Sequence, residues 1–212
     1  MRVVESTRVE IEKKIAPMGD YVKMEYLSQC LKQSIDFDTR KFVLSKLAAL
    51  YESRGMFLEA GKLVRNAADI HTNFQAKINE FVKSGELFVK AGNYDEADIS
   101  FRRALSDATP LQRKEIKDKI KKIYISQAKS YGTKDKRKHA MKVYEKLLTL
   151  DINLTERKEV QTTLMQIYEN LGKIKEFYAM KRALENPQPI KMKESEERER
   201  FGEEEINTFL RR

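Results

Sequence analysis

Apolar residues recur every three or four positions along almost the whole chain, a spacing typical of helices that bury one face. No segment shows the strict alternation of apolar and polar residues that predicts a half-buried strand. The stretch FVKSGELFVKAGNYDEADISFRRAL, residues 81–105, has two helical halves separated by Ala91-Gly92-Asn93. Glycine suits the left-handed residue that ends a helix, and the DE pair after the turn places negative charge where the next helix begins. The pattern predicts an all-α fold in which this stretch is one helical hairpin.

The glycines that could close helices are regularly spaced in a chain with only 8 Gly and 4 Pro. Gly19, Gly55, Gly92 and Gly172 are separated by 36, 37 and 80 residues. A turn near Asp135 that lacks a glycine would divide the longest interval into 43 and 37 residues. The spacing therefore predicts about five helical hairpins in succession.

Small residues recur at fixed places among large ones in these units. Two antiparallel helices cross closely only where small side chains meet, and aromatic residues three or four positions away fill the flanking space. Gly85 and Ala97 are the predicted contact points of the third unit. The corresponding positions include Ala48 and Ala60 in the second unit and Ala128 and Ala140 in the fourth.

The pattern Phe81-x3-Gly85-x2-Phe88-x3-Gly92-x-Tyr94-x2-Ala97-x3-Phe101-x2-Ala104 resembles the tetratricopeptide repeat. The resemblance covers residues 3–184 and implies a right-handed α-α superhelix, a solenoid of about five helical hairpins. The slightly long repeats also look like the longer-helix branch of that family, which includes the SNAP adaptors of vesicle fusion.

The resemblance further implies a ligand groove lined by the first helix of each hairpin. Ser45 and Ala49 stand where the chaperone-tail binders of the family carry Lys and Asn, so a clamp for two carboxylates is not expected. The groove residues carried over are Phe42, Ser45, Ala49 and Glu52 in the second unit, Asn79, Val82, Lys83, Glu86 and Lys90 in the third, and Lys122, Ile125, Ser126 and Lys129 in the fourth. An alternative interpretation is that these residues form a solvated face without a ligand.

Composition limits the chemistry of the chain. With 41% apolar and 35% charged residues in 212, it predicts a folded, highly charged domain, and no run approaches 18 apolar residues. A single cysteine, Cys30, and two separated histidines, His71 and His139, give no disulfide and no metal-ligand spacing. Nucleotide, zinc-protease and serine-hydrolase motifs are absent. We therefore expect a cytoplasmic protein that is not an enzyme and has no cofactor.

The sequence changes character after residue 185. Pro187 and Pro189 should end the last helix, and KMKESEERER has almost nothing to bury. The final FGEEEINTFLRR has the charge pattern of a short amphipathic helix, which would cover the end of the repeats or bind a partner. The predicted division is a repeat domain over residues 1–185 and a charged linker with a terminal helix over residues 186–212.

The net charge of +9 is concentrated in residues 113–142, where twelve bases stand against three acids. The rest of the chain has 30 bases and 30 acids. We call the proposed cationic surface of this segment the basic belt; its residues are Lys114, Lys117, Lys121, Arg137, Lys138 and Lys142. Clustered cations attract acidic partners, although lysines that only keep a surface soluble are the common alternative.

Three classes of function are open at this stage. A non-enzymatic protein–protein interaction scaffold or adaptor, with the belt docking an acidic partner protein, is favoured because repeats supply extended surface. The alternative is a nucleic-acid-associated, RNA-binding helical-repeat protein, and the third class is an enzyme with an unusual helical site. Self-association through the terminal repeats is a further alternative.

Overall fold

A computed structural model describes residues 4–185, which form ten α-helices and no strand. The helices are α1 (Arg8–Ile15), α2 (Asp20–Cys30), α3 (Phe37–Ser53), α4 (Phe57–Asp69), α5 (Phe74–Lys90), α6 (Tyr94–Ser106), α7 (Pro110–Thr133), α8 (Arg137–Leu147), α9 (Leu154–Asn170) and α10 (Ile174–Glu185). Consecutive helices from α3 to α6 pack extensively against one another, within hairpins and also between α4 and α5, and α7 packs in the same way against α8. The prediction of an all-α fold built from helical hairpins is confirmed.

The chain divides into two compact units, Met1–Val160 and Gln161–Arg212. The first contains α1 to α8 and the beginning of α9, and the second contains the rest of α9 and α10. The predicted boundary at 185/186 and the predicted terminal helix lie at or beyond the edge of the described residues, so both stay predictions.

Four hairpin turns share one backbone conformation. Gly55, Gly92 and Gly172 have φ angles of 74°, 75° and 69°, and Asp135 has a φ of 51°. In each turn the N–H of the following residue donates to the carbonyl five positions back, as in a Schellman motif. These bonds are Met56 to Tyr51, Asn93 to Phe88, Lys136 to Tyr131 and Lys173 to Tyr168, all 2.9 Å. The prediction that a turn near Asp135 takes the place of a glycine turn is confirmed.

Gly19 differs from the other predicted turn glycines. It has a φ of −72° and lies at the N-cap of α2, whereas α1 has already ended at Ile15. The prediction that Gly19 closes a helix is therefore wrong, and the interval of 36 residues before Gly55 does not mark a repeated turn.

Replacing Asp135 with glycine is expected to raise the free energy of unfolding by about 0.5–1 kcal/mol, because a left-handed φ strains any residue with a Cβ atom. The loss of the ion pair with Arg137 offsets little of this gain in stability, since the Asp135 side chain is 78% exposed. Urea denaturation measures the change. The reciprocal variant Gly92→Asp should lower stability by a similar amount. If both variants are as stable as the wild type, the left-handed residue does not strain the turn.

Two glycines allow rings to pack against helix backbone. A Cβ atom on Gly85 would lie 2.6 Å from both Cδ1 and Cζ of Phe101, and closer still to Cε1, which is too close for any real contact. A Cβ atom on Gly61 would lie 3.0 Å from Cε1 of Phe88. The first contact joins α5 to α6 within a hairpin, and the second joins α4 to α5 of the next hairpin. The prediction that Gly85 is a close contact point is confirmed, while Gly61 was not predicted.

The buried core follows these crossings. Phe81, Phe88 and Ala97 are fully buried between α4, α5 and α6, and the cluster continues to Tyr124 on α7. Cys30 is fully buried on α2. The core therefore holds α7 and α8 in the same cluster as the hairpin before them, which fixes where the cationic residues of that segment lie.

Candidate interaction surfaces

The predicted groove residues of α3 and α5 do come together, but their charges are paired. Glu52 Oε2 lies 3.5 Å from Lys83 Nζ, and Glu52 Oε1 lies 3.8 Å from Lys90 Nζ. Lys90 is also 2.7 Å from Glu86, one turn earlier on the same helix. Two ammonium groups thus face two carboxylates, so this part of the groove presents mixed charge with little net potential.

The groove prediction is wrong for Phe42. Its side chain is buried on α3, where the guanidinium of Arg8 on α1 lies 4.9 Å from the ring centroid and Lys46 Nζ lies 5.5 Å from it. Because α1 covers this position, Phe42 is not available to a ligand. Ser45 and Ala49 on the same helix are exposed.

On α7 the predicted groove residues Lys122 and Lys129 are exposed. The beginning of α7 lies beside that of α5, since Gln112 Nε2 donates to Gln75 Oε1 at 2.6 Å. Within residues 4–185 neither lysine has a carboxylate partner. Among the predicted groove residues, the unpaired cations are therefore on α7 and not on α5.

Two of the predicted belt residues on α7 are ion-paired inside the first unit. Lys117 Nζ lies 3.8 Å from Asp151, and Lys121 Nζ lies 3.1 Å from Asp118 and 3.6 Å from Glu156. Partial burial alone would lower the pKa of Lys121, but hydrogen bonding to Asp118 and the charge of Glu156 outweigh it and raise that pKa. Lys121 therefore helps to hold the first turn of α9 against α7 and is poorly placed to bind a partner.

The other belt residues differ in how exposed their charges are. Lys114 is exposed on the first turns of α7, and Arg137 lies 2.8 Å from Asp135. Lys146, which continues the lysine face of α8, pairs with Asp98 on α6. Lys138 and Lys142 are exposed and have no ion pair among the described residues.

Five exposed lysines without ion pairs gather where α7 ends and α8 begins. We call them the turn cluster: Lys129, Lys134, Lys136, Lys138 and Lys142. Asp135 is the acid within this segment, and Arg137 already pairs with it. The cluster thus has a net positive charge that the neighbouring helices do not neutralise.

Several cations on other hairpins are neutralised by a neighbouring helix, although others, such as Lys32 and Lys62, are exposed and unpaired among the described residues. The neutralised cations lie against a carboxylate, as in Arg54–Asp20, Arg65–Glu96, Lys77–Asp107 and Arg103–Asp69. The close grouping of its five unpaired lysines makes the turn cluster a distinct electrostatic feature of the described part of the chain. The basic belt was defined by lysines that share a helical face, and this definition leaves out the grouping at the turn. The run KDKRK at residues 134–138 is the sequence feature that indicates it.

The two histidines occupy different surroundings. His71 follows the end of α4 and is half-buried, whereas His139 is exposed on α8 with its ring centroid 5.3 Å from that of Tyr131. Across residues 4–185, no three His, Cys, Asp or Glu side chains are grouped closely enough to hold a metal ion. No helix in that range combines the length and apolar character needed to cross a lipid bilayer.

Comparison with known proteins does not identify a family for this chain. No protein-family model matches the chain, and no curated protein was found to match it. A solved structure described as BtubC (BKLC) from P. vanneervenii is similar at 15% identity, with 87% of this chain and 78% of that chain covered. Its TM-score is 0.34, which does not establish a shared fold.

Proposed function

We propose that the chain is a non-enzymatic interaction scaffold or adaptor, built from repeats of the tetratricopeptide kind, that docks an acidic segment of a partner protein. The observation that carries the proposal is the turn cluster, in which five exposed lysines without carboxylate partners lie together within residues 129–142. An uncompensated group of cations raises the local potential and speeds the approach of an acidic partner.

The spacing of the lysines suits an extended acidic segment. Lys138 and Lys142 are one helical turn apart, roughly 6 Å along α8. Alternate side chains of an extended chain lie on one side at intervals of roughly 7 Å. Carboxylates on every second residue of a partner could therefore meet successive lysines, and the flexible lysine stems would accommodate the difference.

The path of such a segment can continue onto the predicted groove. Lys129 belongs to the turn cluster and to the groove face of α7, and Lys122 lies two turns earlier on the same face. The paired lysines of α5 contribute less, because Glu52 and Glu86 already neutralise them. The acidic segment is thus expected to follow α7 from its last turn toward Lys122.

Charge reversal tests this function. The variant Lys129→Glu, Lys134→Glu, Lys138→Glu and Lys142→Glu should weaken binding of a labelled glutamate-rich peptide by about thirtyfold, if each exposed pair contributes roughly 0.5 kcal/mol. Fluorescence anisotropy at a fixed ionic strength measures the affinity. The helical circular dichroism spectrum should not change, because none of the four lysines holds two helices together.

The matched control reverses four exposed lysines elsewhere: Lys13, Lys32, Lys62 and Lys181. It has the same net charge as the first variant, so it should lose little affinity if the turn cluster is the docking site. Equal losses in both variants would show that only net charge matters. If single-stranded RNA binds the wild type more tightly than the peptide at the same salt concentration, the nucleic-acid alternative replaces this proposal.

A further inference from the structure

The first helices of three successive hairpins begin with a large exposed apolar residue. Phe37 on α3 is 78% exposed, Phe74 on α5 is 69% exposed, and Leu111 on α7 is 73% exposed. They are separated by 37 residues in each case, and each follows closely on the residue that caps its helix. We call these three residues the apolar row.

Contacts between the helices place the three residues side by side. The hydrogen bond between Gln112 and Gln75 joins the residues directly after Leu111 and Phe74. Both α3 and α5 are 17 residues long, and Glu52 near the end of α3 is paired with Lys90 at the end of α5. Glu52 also pairs with Lys83, two turns earlier on α5, so the two helices begin within about one turn of each other. At helix spacings of roughly 10 Å, the row spans about 20 Å.

Leu154 occupies the same position on α9 but does not extend the row. Glu156, two residues later, is paired with Lys121, which is ten residues beyond Leu111 on α7. At 1.5 Å per residue, Leu154 is set back from the level of Leu111 by about 12 Å. It is 59% exposed, so it serves as a matched control.

Single exposed apolar residues are ordinary in proteins, but a row repeated at one position of three hairpins is not explained in that way. We propose that the apolar row binds one amphipathic helix of a partner protein, with acidic residues flanking its apolar stripe. Side chains at i, i+7 and i+14 of a helix lie on one face at intervals of 10.5 Å, which matches the spacing of the row. This surface is at the opposite end of α7 from the turn cluster, so it is independent of the proposed function.

The surrounding charge favours an acidic flank toward the Leu111 end of the row and not beside Phe37, where Asp36 and Asp38 lie. The row lies at the N-terminal ends of three helices, whose partial positive charges attract carboxylates. Lys114, one turn after Leu111, is exposed and has no ion pair among the described residues. The strongest attraction is therefore expected at the Leu111 end of the row.

Two other occupants fit less well. Asp36 and Asp38 flank Phe37, and their negative charge opposes binding to an anionic lipid surface. A second copy of this chain also fits less well. The exposed area of the three side chains is roughly 400 Å², about half of what each partner buries in a standard stable dimer. A helix of about 15 residues, close to 20 Å long, matches the length of the row without needing a larger interface.

The test uses the full chain and a labelled synthetic helical peptide with leucine at i, i+7 and i+14 and glutamates beside them. The variant Phe37→Ser, Phe74→Ser and Leu111→Ser should bind it at least about tenfold more weakly, as expected when central apolar anchors are removed. Leu154→Ser should stay within about twofold of the wild type. Fluorescence anisotropy measures affinity, and circular dichroism checks folding; Phe74→Ser alone, at the centre of the row, is the second variant if the triple variant is unfolded.

Several results would overturn the proposal. The triple variant could bind the peptide as tightly as the wild type, or Leu154→Ser could weaken binding equally. Analytical ultracentrifugation that shows a dimer of the wild type and a monomer of the triple variant would assign the row to a second copy of this chain. If the wild type cosediments with phosphatidylserine vesicles and the triple variant does not, the apolar row would be assigned to a membrane surface. A peptide with lysine in place of glutamate that binds equally well would remove the acidic flank from the proposal.

Discussion

Replacing Gly85 with leucine is expected to lower the free energy of unfolding by about 2–3 kcal/mol, the cost of overpacking a filled core. Intrinsic helix propensity alone predicts the opposite sign, because glycine inside a helix is less favourable than leucine. Packing should prevail, since even a Cβ atom on Gly85 would overlap the ring of Phe101. The ring is buried in a cluster formed by residues of α5, α6 and α7. Urea denaturation followed by circular dichroism measures the loss.

Gly132→Leu is the control for this prediction. Gly132 lies in the last turn of α7, is exposed, and has no atom within 4 Å of the position that a Cβ atom would take. Leucine there should leave stability unchanged or raise it by a few tenths of a kcal/mol. A Gly85→Leu variant as stable as the wild type would mean that α5 and α6 separate without cost and that Gly85 does not determine their crossing.

Features set by contacts within one hairpin could be predicted from the sequence. Gly85 and Phe101 belong to the same hairpin, so the spacing of small and aromatic residues is enough to predict that Gly85 lies at a close crossing of its two helices, although the predicted contact was with Ala97 and not with Phe101. Asp135 was predicted as a turn residue because the interval between glycines required one, and Asp tolerates the left-handed conformation better than most residues. The all-α fold followed from the apolar periodicity in the same local way.

Features that depend on a neighbouring hairpin could not be predicted in this way. Gly61 receives Phe88 from the next hairpin, and α1 covers Phe42, although neither partner is close in sequence. The charges of Lys117 and Lys121 are paired with acids near the beginning of α9. Helix-face patterns identify which lysines point outward from a helix, but not which of them meet a carboxylate after the helices pack.

Those ion pairs change which residues are worth testing. Reversing Lys121 would break its contacts with Asp118 and Glu156, so a loss of binding could come from a displaced first turn of α9. Reversing the turn cluster removes no such contact among the described residues. The proposed docking site thus shifts from the middle of α7 to its last turn and the beginning of α8.

Truncating Phe101 to alanine is expected to lower the free energy of unfolding by about 3–5 kcal/mol, the range for a large side chain removed from a packed core. Phe101 is 3% exposed, lies over Gly85, and has its ring centroid 6.2 Å from that of Tyr124. The ring therefore connects α6 to α5 within its hairpin and to α7 of the next. Its loss leaves a cavity among helices that glycine and alanine have brought close together, so the backbone has little freedom to collapse into it.

The double variant Gly85→Leu and Phe101→Ala separates packing from other effects of the two substitutions. The leucine would occupy part of the cavity left by the ring, so the loss of stability should be smaller than the sum of the two single losses by about 1 kcal/mol or more. Combining Gly85→Leu with Leu27→Ala, a fully buried residue in the separate cluster around α2, should give additive losses. Additive losses in the Phe101 pair as well would show that Gly85 and Phe101 affect stability independently, and the close crossing of α5 and α6 would then need another cause.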